Sequence, residues 1–380
     1  MRKIITGLAA FLYLHVCAQE NDIAFMRPTP IFNDTTLTQS SRVFTSGVVD
    51  FQFAEFNLKT VLQNKAPMKK IAGYSKKGQP IYLYYFPGTS NKNALVIGGV
   101  HGSELSSIEV VNTLVKKLLV APQSYYNVIL IPSLFPDNAL AAAACKKDRV
   151  ANNKGRYSEP GAVDPNRQMP MLGKPFYADA PLDAHNREIE KENRLLLQLI
   201  QAFAPQRVAT IHAIRDKNNC GVFADPRTDC NGMALGFQSD SALVMLMAKY
   251  IDSCGGLVAG NSLSKNPGSR YYLDPKIAEQ GTLQERNVKG SGLPNGMGVS
   301  LGTWASTAVC DDEAGYSRAA MRLLTVEFPG YKKPAEYKTK KEKEWCAGQV
   351  AVYASSIYTY FLQPFFVEEN LGVDNRMAIK

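Results

Sequence analysis

The chain has 380 residues, with 43 Lys and Arg against 34 Asp and Glu for a formal charge of +9. That length holds one large α/β domain or two smaller ones. The positive charge is scattered, and its clearest run, Lys332 to Lys343, reads as a solvated face, with attraction to an anionic envelope polymer as the alternative. No nucleic-acid-binding module is recognisable, no Cys-x-x-Cys pair offers a thiolate metal site, and beyond the first residues no apolar run is long enough to span a bilayer.

The first 18 residues have a short cationic start, an apolar stretch, and the small residues Val16 and Ala18 before a cleavage point, which reads as a secretory signal. Lipid attachment at Cys17 is the rival reading. Loss of the leader leaves a charge of +7, since Arg2 and Lys3 go with it, and six cysteines. In an oxidising compartment these permit up to three disulfides. Cys220 and Cys230 are the favoured pair because the loop between them is short; free cysteines in a large core are the alternative.

Residues 19–65 form an N-terminal extension, 66–366 a single catalytic domain and 367–380 a tail. The pattern from 71 to 86 predicts two strands around a turn, followed by a strand at 94–100, a helix at 105–119 and a buried strand at 126–132. Leu195, Leu196, Leu199 and Phe203 recur at helical spacing and predict a helix over 185–203. A strand at 207–212, a helix near 240–253, Gly- and Asn-rich loops at 255–302, a strand at 322–329 and a closing helix at 340–362 complete the reading, with no internal repeat. Strands alternating with helices imply an α/β fold: a mostly parallel, mixed, twisted sheet with helices on both faces and ligands at the carboxyl ends of strands.

His101 ends one predicted strand, and Glu104 opens the helix that follows, so imidazole and carboxylate can be aimed at one point. His212 ends another strand and supplies a third ligand. Two histidines and a carboxylate, with a position left open for water, are what a catalytic zinc ion takes. Asn166 and Arg167, side by side, suit a forked grip on a carboxylate. Glu327, on an otherwise apolar strand, is positioned as a general base. His185, before the helix at 185–203, reads as a capping or solvent-facing residue.

Five motifs in this order resemble the zinc carboxypeptidase family: Gly73-Tyr-Ser-Lys-Lys-Gly-Gln-Pro-Ile81, His101-Gly-Ser-Glu104, Asp164-Pro-Asn-Arg167, Ile211-His212 and Thr325-Val-Glu-Phe-Pro329. Within that family Gly302-Thr-Trp-Ala305 is most similar to bacterial murein tripeptide amidases. The resemblance implies a zinc carboxypeptidase-like fold and one zinc ion per chain on His101, Glu104 and His212. It further implies Glu327 as base and proton shuttle, and Asn166 and Arg167 on the terminal carboxylate of a peptide or muropeptide substrate. An arginine upstream of the Asn-Arg pair would stabilise the oxyanion; Arg149 is preferred and Arg156 is its rival. Trp304 stands at the substrate pocket, where many carboxypeptidases carry a tyrosine. Residues 216–300 read as an insertion. The acidic run Asp311-Asp312-Glu313 is a candidate to receive a cationic group, an exposed loop being the alternative. An N-acyl amino acid deacylase of the aspartoacylase or succinylglutamate desuccinylase type, and a zinc-free peptide-binding relative, are the competing readings.

Overall fold

The computed structural model describes residues 53–145, 148, 151–159, 162–225, 227–232, 235, 238–261, 298–311 and 315–364. The leader, the extension up to residue 52, most of the 255–302 region and the tail at 367–380 lie outside the described residues.

Seven strands build the main sheet: β1 (Met68–Tyr74), β2 (Pro80–Phe86), β3 (Asn93–Ile97), β4 (Asn127–Ile131), β5 (Arg207–Ile214), β6 (Gly221–Ala224) and β9 (Arg322–Pro329). Their order is β1-β2-β4-β3-β5-β9-β6. The inner run β4-β3-β5-β9 is parallel, whereas β1, β2 and β6 join antiparallel at the two sides. β7 (Val309–Asp311) and β8 (Tyr316–Arg318) pair as a separate ribbon.

Strict alternation along the central strands decides which helices cover which face. Val96, Ala209 and Val326 join one buried cluster with α2 (Leu105–Val120), α5 (Gln238–Ser253) and α7 (Lys340–Ser356). Ile97, Val208 and Leu323 point the other way, into a second cluster with α1 (Leu58–Leu62), α4 (Lys191–Phe203) and α6 (Leu301–Ser306). The remaining helix, α3 (Pro136–Ala143), follows β4. The fold is α/β, a mixed sheet with a parallel centre and helices on both faces. Residues 53–65 already belong to it, because Phe53, Phe56, Leu58 and Val61 are buried in the second cluster.

Three expectations need correction. The helix expected from 185 starts only at Lys191. Asp183 accepts from the backbone N–H of His185 and Arg187 and from Arg187 Nε, and Asn186 is left-handed at φ 58°, so the chain turns there instead. The closing helix is α-helical to Ser356 and finishes as a π turn, Ile357–Phe361. Arg207 caps this end by donating from Nη1 to the carbonyls of Phe361 and Gln363 at 2.6 and 3.0 Å.

The disulfide is Cys230–Cys310, with Cα atoms 5.7 Å apart; Cys220 is free and buried, its thiol donating to Leu257 O at 3.3 Å. Cys220 directly precedes β6, and that strand carries the chain about 10 Å away from it before the segment that leads to Cys230. A disulfide needs Cα atoms within about 7 Å. Cys310, on β7, meets that condition for Cys230.

Candidate active site

β3 lies between β4 and β5, and the chain leaving β3 crosses through α2 to β4, while β5 lies on the other side. Ligands collect at such a reversal, outside the carboxyl ends of the strands. His101 arrives there four residues past the end of β3, and Glu104 occupies the N-cap of α2 without bonding the helix's own N–H groups. Gly102 permits this turn: a Cβ there would lie 2.3 Å from the Asn138 backbone carbon. His212, on β5, faces away from the cluster that takes Ile211 and Ala213.

The three side chains converge and are each at most 4% exposed. His101 Nδ1 lies 2.9 Å from Glu104 Oε1, and His212 Nδ1 lies 3.3 Å from Glu104 Oε2. One ligand atom from each residue can be chosen so that all lie within 4.8 Å of one another. Ligands about 2.05 Å from a tetrahedral zinc ion are themselves about 3.4 Å apart, so this donor set fits zinc.

Proton bookkeeping agrees. His101 Nε2 lies 2.8 Å from Asp164 Oδ1 and Nδ1 lies 2.9 Å from Glu104 Oε1; a neutral ring that donates from Nε2 to Asp164 would present Nδ1 as its ligand atom. His212 Nε2 has no hydrogen-bond partner among the described residues, so the ring is not committed elsewhere. Burial alone would lower the His101 pKa, but Glu104 and Asp164 outweigh it and hold the imidazole at about 9. Burial would raise both carboxyls, yet His101 keeps Glu104 and Asp164 well below the usual carboxylate range. The pocket is built for positive charge.

Glu327 is the Cα partner of His212 across β5 and β9 and extends from the same face. Its pKa is raised by burial, a shift partly countered by His212, which suits a group that must hold and release a proton. Arg156 donates from Nη2 to Asp164 Oδ2 at 2.8 Å and from Nη1 toward Glu104 Oε1 at 3.4 Å, so this arginine flanks the cluster. Arg149 lies outside the described residues.

Asn166 and Arg167, expected to grip a carboxylate, stand on a 3-10 turn, Pro165–Arg167, started by Asp164, whose Oδ1 accepts from Asn166 N. Asn166 Oδ1 accepts from Leu301 N at 3.1 Å, which fixes the amide and leaves Nδ2 as a donor. Arg167 Nη1 donates to Asn166 O at 2.7 Å, and the rest of its fork has no protein partner among the described residues. Arg187 Nη2 donates to Arg167 O, bracing the turn from behind.

Trp304 was expected at the substrate pocket, but it is fully buried. Its Nε1 donates to Lys174 O, and the Arg318 guanidinium lies 4.5 Å from its ring centroid, so the indole is packed inside the protein. Asp311 does not offer a free charge: it is buried, paired with Lys174 and accepting from Tyr177 Oη at 2.5 Å. Asp312 and Glu313 lie outside the described residues. His185 sits in the Asp183 turn that precedes the helix, its backbone N–H donating to Asp183 Oδ1.

Two acidic residues escaped the sequence reading. In the sequence Asp164 is visible only as the start of the Asn-Arg motif, although its carboxylate lies 2.8 Å from His101 Nε2. Asp225 follows the apolar run Gly221–Ala224, which was absorbed into a supposed insertion. It stands at the end of β6, accepting from Thr325 Oγ1 at 2.9 Å; an apolar run ending in a lone carboxylate was the available signal.

No family model matches the chain, and no curated protein does. Among solved structures, the chain is similar to carboxypeptidase A from Helicoverpa armigera, at 13% identity over 77% of this chain and 68% of that one, with a TM-score of 0.42. A metallo-carboxypeptidase from Burkholderia cenocepacia matches at 15% identity over 80% and 67%, with a TM-score of 0.40. The murein-tripeptide amidase MpaA from Escherichia coli O157 matches at 16% identity over 78% of this chain and 94% of that one, with a TM-score of 0.38.

Proposed function

We propose that the chain is an exported zinc hydrolase that cleaves an amide bond beside a free carboxylate, acting on peptides and preferentially on those derived from peptidoglycan. The observation that carries the reading is the buried convergence of His101, Glu104 and His212, with Glu327 across the strand pair.

Zinc held by that triad supplies Lewis-acid polarisation of a carbonyl and acidifies water. Arg167 and the free Nδ2 of Asn166 dock the substrate's terminal carboxylate. Arg156, the rival of Arg149 for this role, stands by to balance negative charge developing on the carbonyl oxygen, because its guanidinium is already held beside Glu104. Glu327 takes the proton from the attacking water and passes it to the leaving amine; its raised pKa lowers the cost of holding that proton.

Export is supported by the leader-like first 18 residues and by the Cys230–Cys310 disulfide, which persists in oxidising compartments. Among the described residues, no helix is long and apolar enough to cross a membrane.

The test is a substrate panel for the zinc-loaded protein: a muropeptide tripeptide, free-acid peptides with their C-terminal amides, and N-acetylaspartate. Cleavage of the free acids but not the amides is expected. Turnover of N-acetylaspartate alone would make the chain a deacylase, and zinc binding without any turnover would make it a peptide-binding relative.

A further inference from the structure

The positive run Lys332 to Lys343 has no part in the chemistry described so far, yet the fold does not leave it on a remote face. It begins five residues after Glu327, and a second basic segment, Arg215 to Lys217, begins three residues after His212. β5 and β9 are parallel and in register, so both segments leave the sheet at the edge that holds the metal cluster. Gly330 N donates to Ile214 O at 2.9 Å, and Ser106 N donates to Tyr331 O at 3.3 Å. The start of the run is thereby fastened to the elements that carry His212 and Glu104.

From there the chain passes through a 3-10 turn, Pro334–Glu336, into the first turn of α7. Lys217 joins the two segments, its Nζ lying 4.1 Å from the ring centroid of Trp345 on α7. Arg215, Lys217, Lys332 and the lysines from 338 to 343 are exposed. Two of the interspersed acids are turned to the backbone. Glu336 Oε2 accepts from Lys333 N at 2.9 Å, and Glu342 Oε2 accepts from Thr339 N and Oγ1 at 3.1 and 2.8 Å. Residues 215–217 and 332–344 carry eight cations and four carboxylates, so these two short segments hold +4 of the chain's +9. A face that serves solubility alone mixes the signs; this one is one-sided and lies beside the metal cluster.

The strip and the carboxylate grip stand on opposite sides of the sheet. Asn166 is fixed by Leu301, which belongs to the second cluster, whereas Tyr331, Tyr337 and Trp345 pack against the first. A substrate with its terminal carboxylate on Arg167 and its scissile carbonyl at the metal therefore directs its remaining length toward the strip. A membrane is the poorer match. A helix that lies on a bilayer presents a wide apolar face beside its cations, but α7 buries Cys346, Val350 and Tyr353 in the core. Trp345 offers no prong either: Lys217 lies over its ring, and Tyr337 meets it edge-on at 6.4 Å.

We propose that this strip is a docking surface for an anionic polymer bearing fixed carboxylates, held so that peptides attached to the polymer reach the metal cluster. The inference rests on the hydrolase reading above and deepens it: the polymer-attached peptide is preferred to the same peptide free in solution. Many weak, exposed contacts make the attraction steeply dependent on ionic strength.

The test uses the zinc-loaded full chain, peptidoglycan sacculi as the polymer, and vesicles of equal parts phosphatidylcholine and phosphatidylglycerol as the membrane arm. Cosedimentation gives affinity at about 50 and about 300 mM salt, straddling a Debye length of about 10 Å, and kcat/KM is measured for a free muropeptide tripeptide. A chain carrying Lys217→Gln, Lys338→Gln, Lys341→Gln and Lys343→Gln is expected to bind sacculi at least about tenfold more weakly at low salt. Its kcat/KM for the free tripeptide should stay within about twofold of the wild type. Arginine at the same four positions should restore binding. Wild-type affinity for sacculi that does not fall with salt would overturn the proposal, as would a glutamine variant that binds them unchanged. Sedimentation with the vesicles but not with the sacculi would assign the strip to a membrane instead. Failure of the hydrolase reading looks different: the free tripeptide would not be cleaved, while salt-sensitive binding to sacculi would persist.

Discussion

Replacing Asp164 by Ala removes a residue that touches no substrate but sets the state of a metal ligand. Its carboxylate accepts the Nε2–H of His101 at 2.8 Å, and both groups are buried, so the bond is charge-assisted and shielded from water. Bonds of that kind contribute about 1.5–3 kcal/mol, which corresponds to roughly a 10–150-fold change in an equilibrium constant. Loss of such outer partners typically weakens metal affinity by about 10–100-fold. The structure adds a second effect of the same sign. Arg156 loses its 2.8 Å partner on Asp164 and is left with Glu104, where its charge competes with a bound cation. Zinc affinity of Asp164→Ala is therefore expected to fall by about 30–100-fold, read by competition with a chromogenic chelator near neutral pH. Asp164→Asn keeps an acceptor without the charge and should fall between the two. If Asp164→Ala binds zinc within about twofold of the wild type, His101 is not oriented through Nε2 and the reasoning is wrong.

Glu327→Gln should retain zinc while kcat falls by about 10²–10⁴-fold; because the base must be ionised and burial raises its pKa above 4.5, the acid limb of wild-type kcat/KM should fall at a higher pH than for an ordinary glutamate. Arg167→Ala should lower kcat/KM for free-acid peptides by at least about 100-fold and leave slow turnover of the C-terminal amides unaltered. The Cys230–Cys310 bridge closes a segment with a sequence separation of 80, so replacing both cysteines by Ser should cost about 4.5 kcal/mol of unfolding free energy, measured by denaturant titration. A cost under about 1 kcal/mol would mean that the two loops are held without it.

The strand-end histidines, Glu104 and Glu327 were legible because their chemistry stands out against apolar surroundings: a charged or ligating residue closing a hydrophobic run has few other reasons to be there. The central strands and α2 were legible for the same reason, since Ala94–Val100 and Val128–Pro132 are continuous apolar runs of the kind a two-sided parallel sheet demands. What failed depended on partners distant in sequence. Trp304 looked like a pocket residue until Arg318 and Lys174 O were seen to claim both its face and its N–H. Arg156 is seen beside Glu104 and Asp164, contacts that spacing does not encode, whereas Arg149 lies outside the described residues. The Cys220–Cys230 pairing failed because nearness along the chain ignored the strand between them. Asp183 stopped a helix whose apolar spacing begins only at Leu195, which shows that local side-chain-to-backbone bonds decide where periodicity takes hold.

Elemental analysis of the purified chain, beside His101→Ala and His212→Ala variants, addresses the metal centre most directly. One zinc per wild-type chain, lost from both variants while their folded spectra persist, is the expected result. A wild-type chain that takes up no divalent ion, or a His212→Ala chain that retains a full equivalent with unchanged affinity, would contradict it.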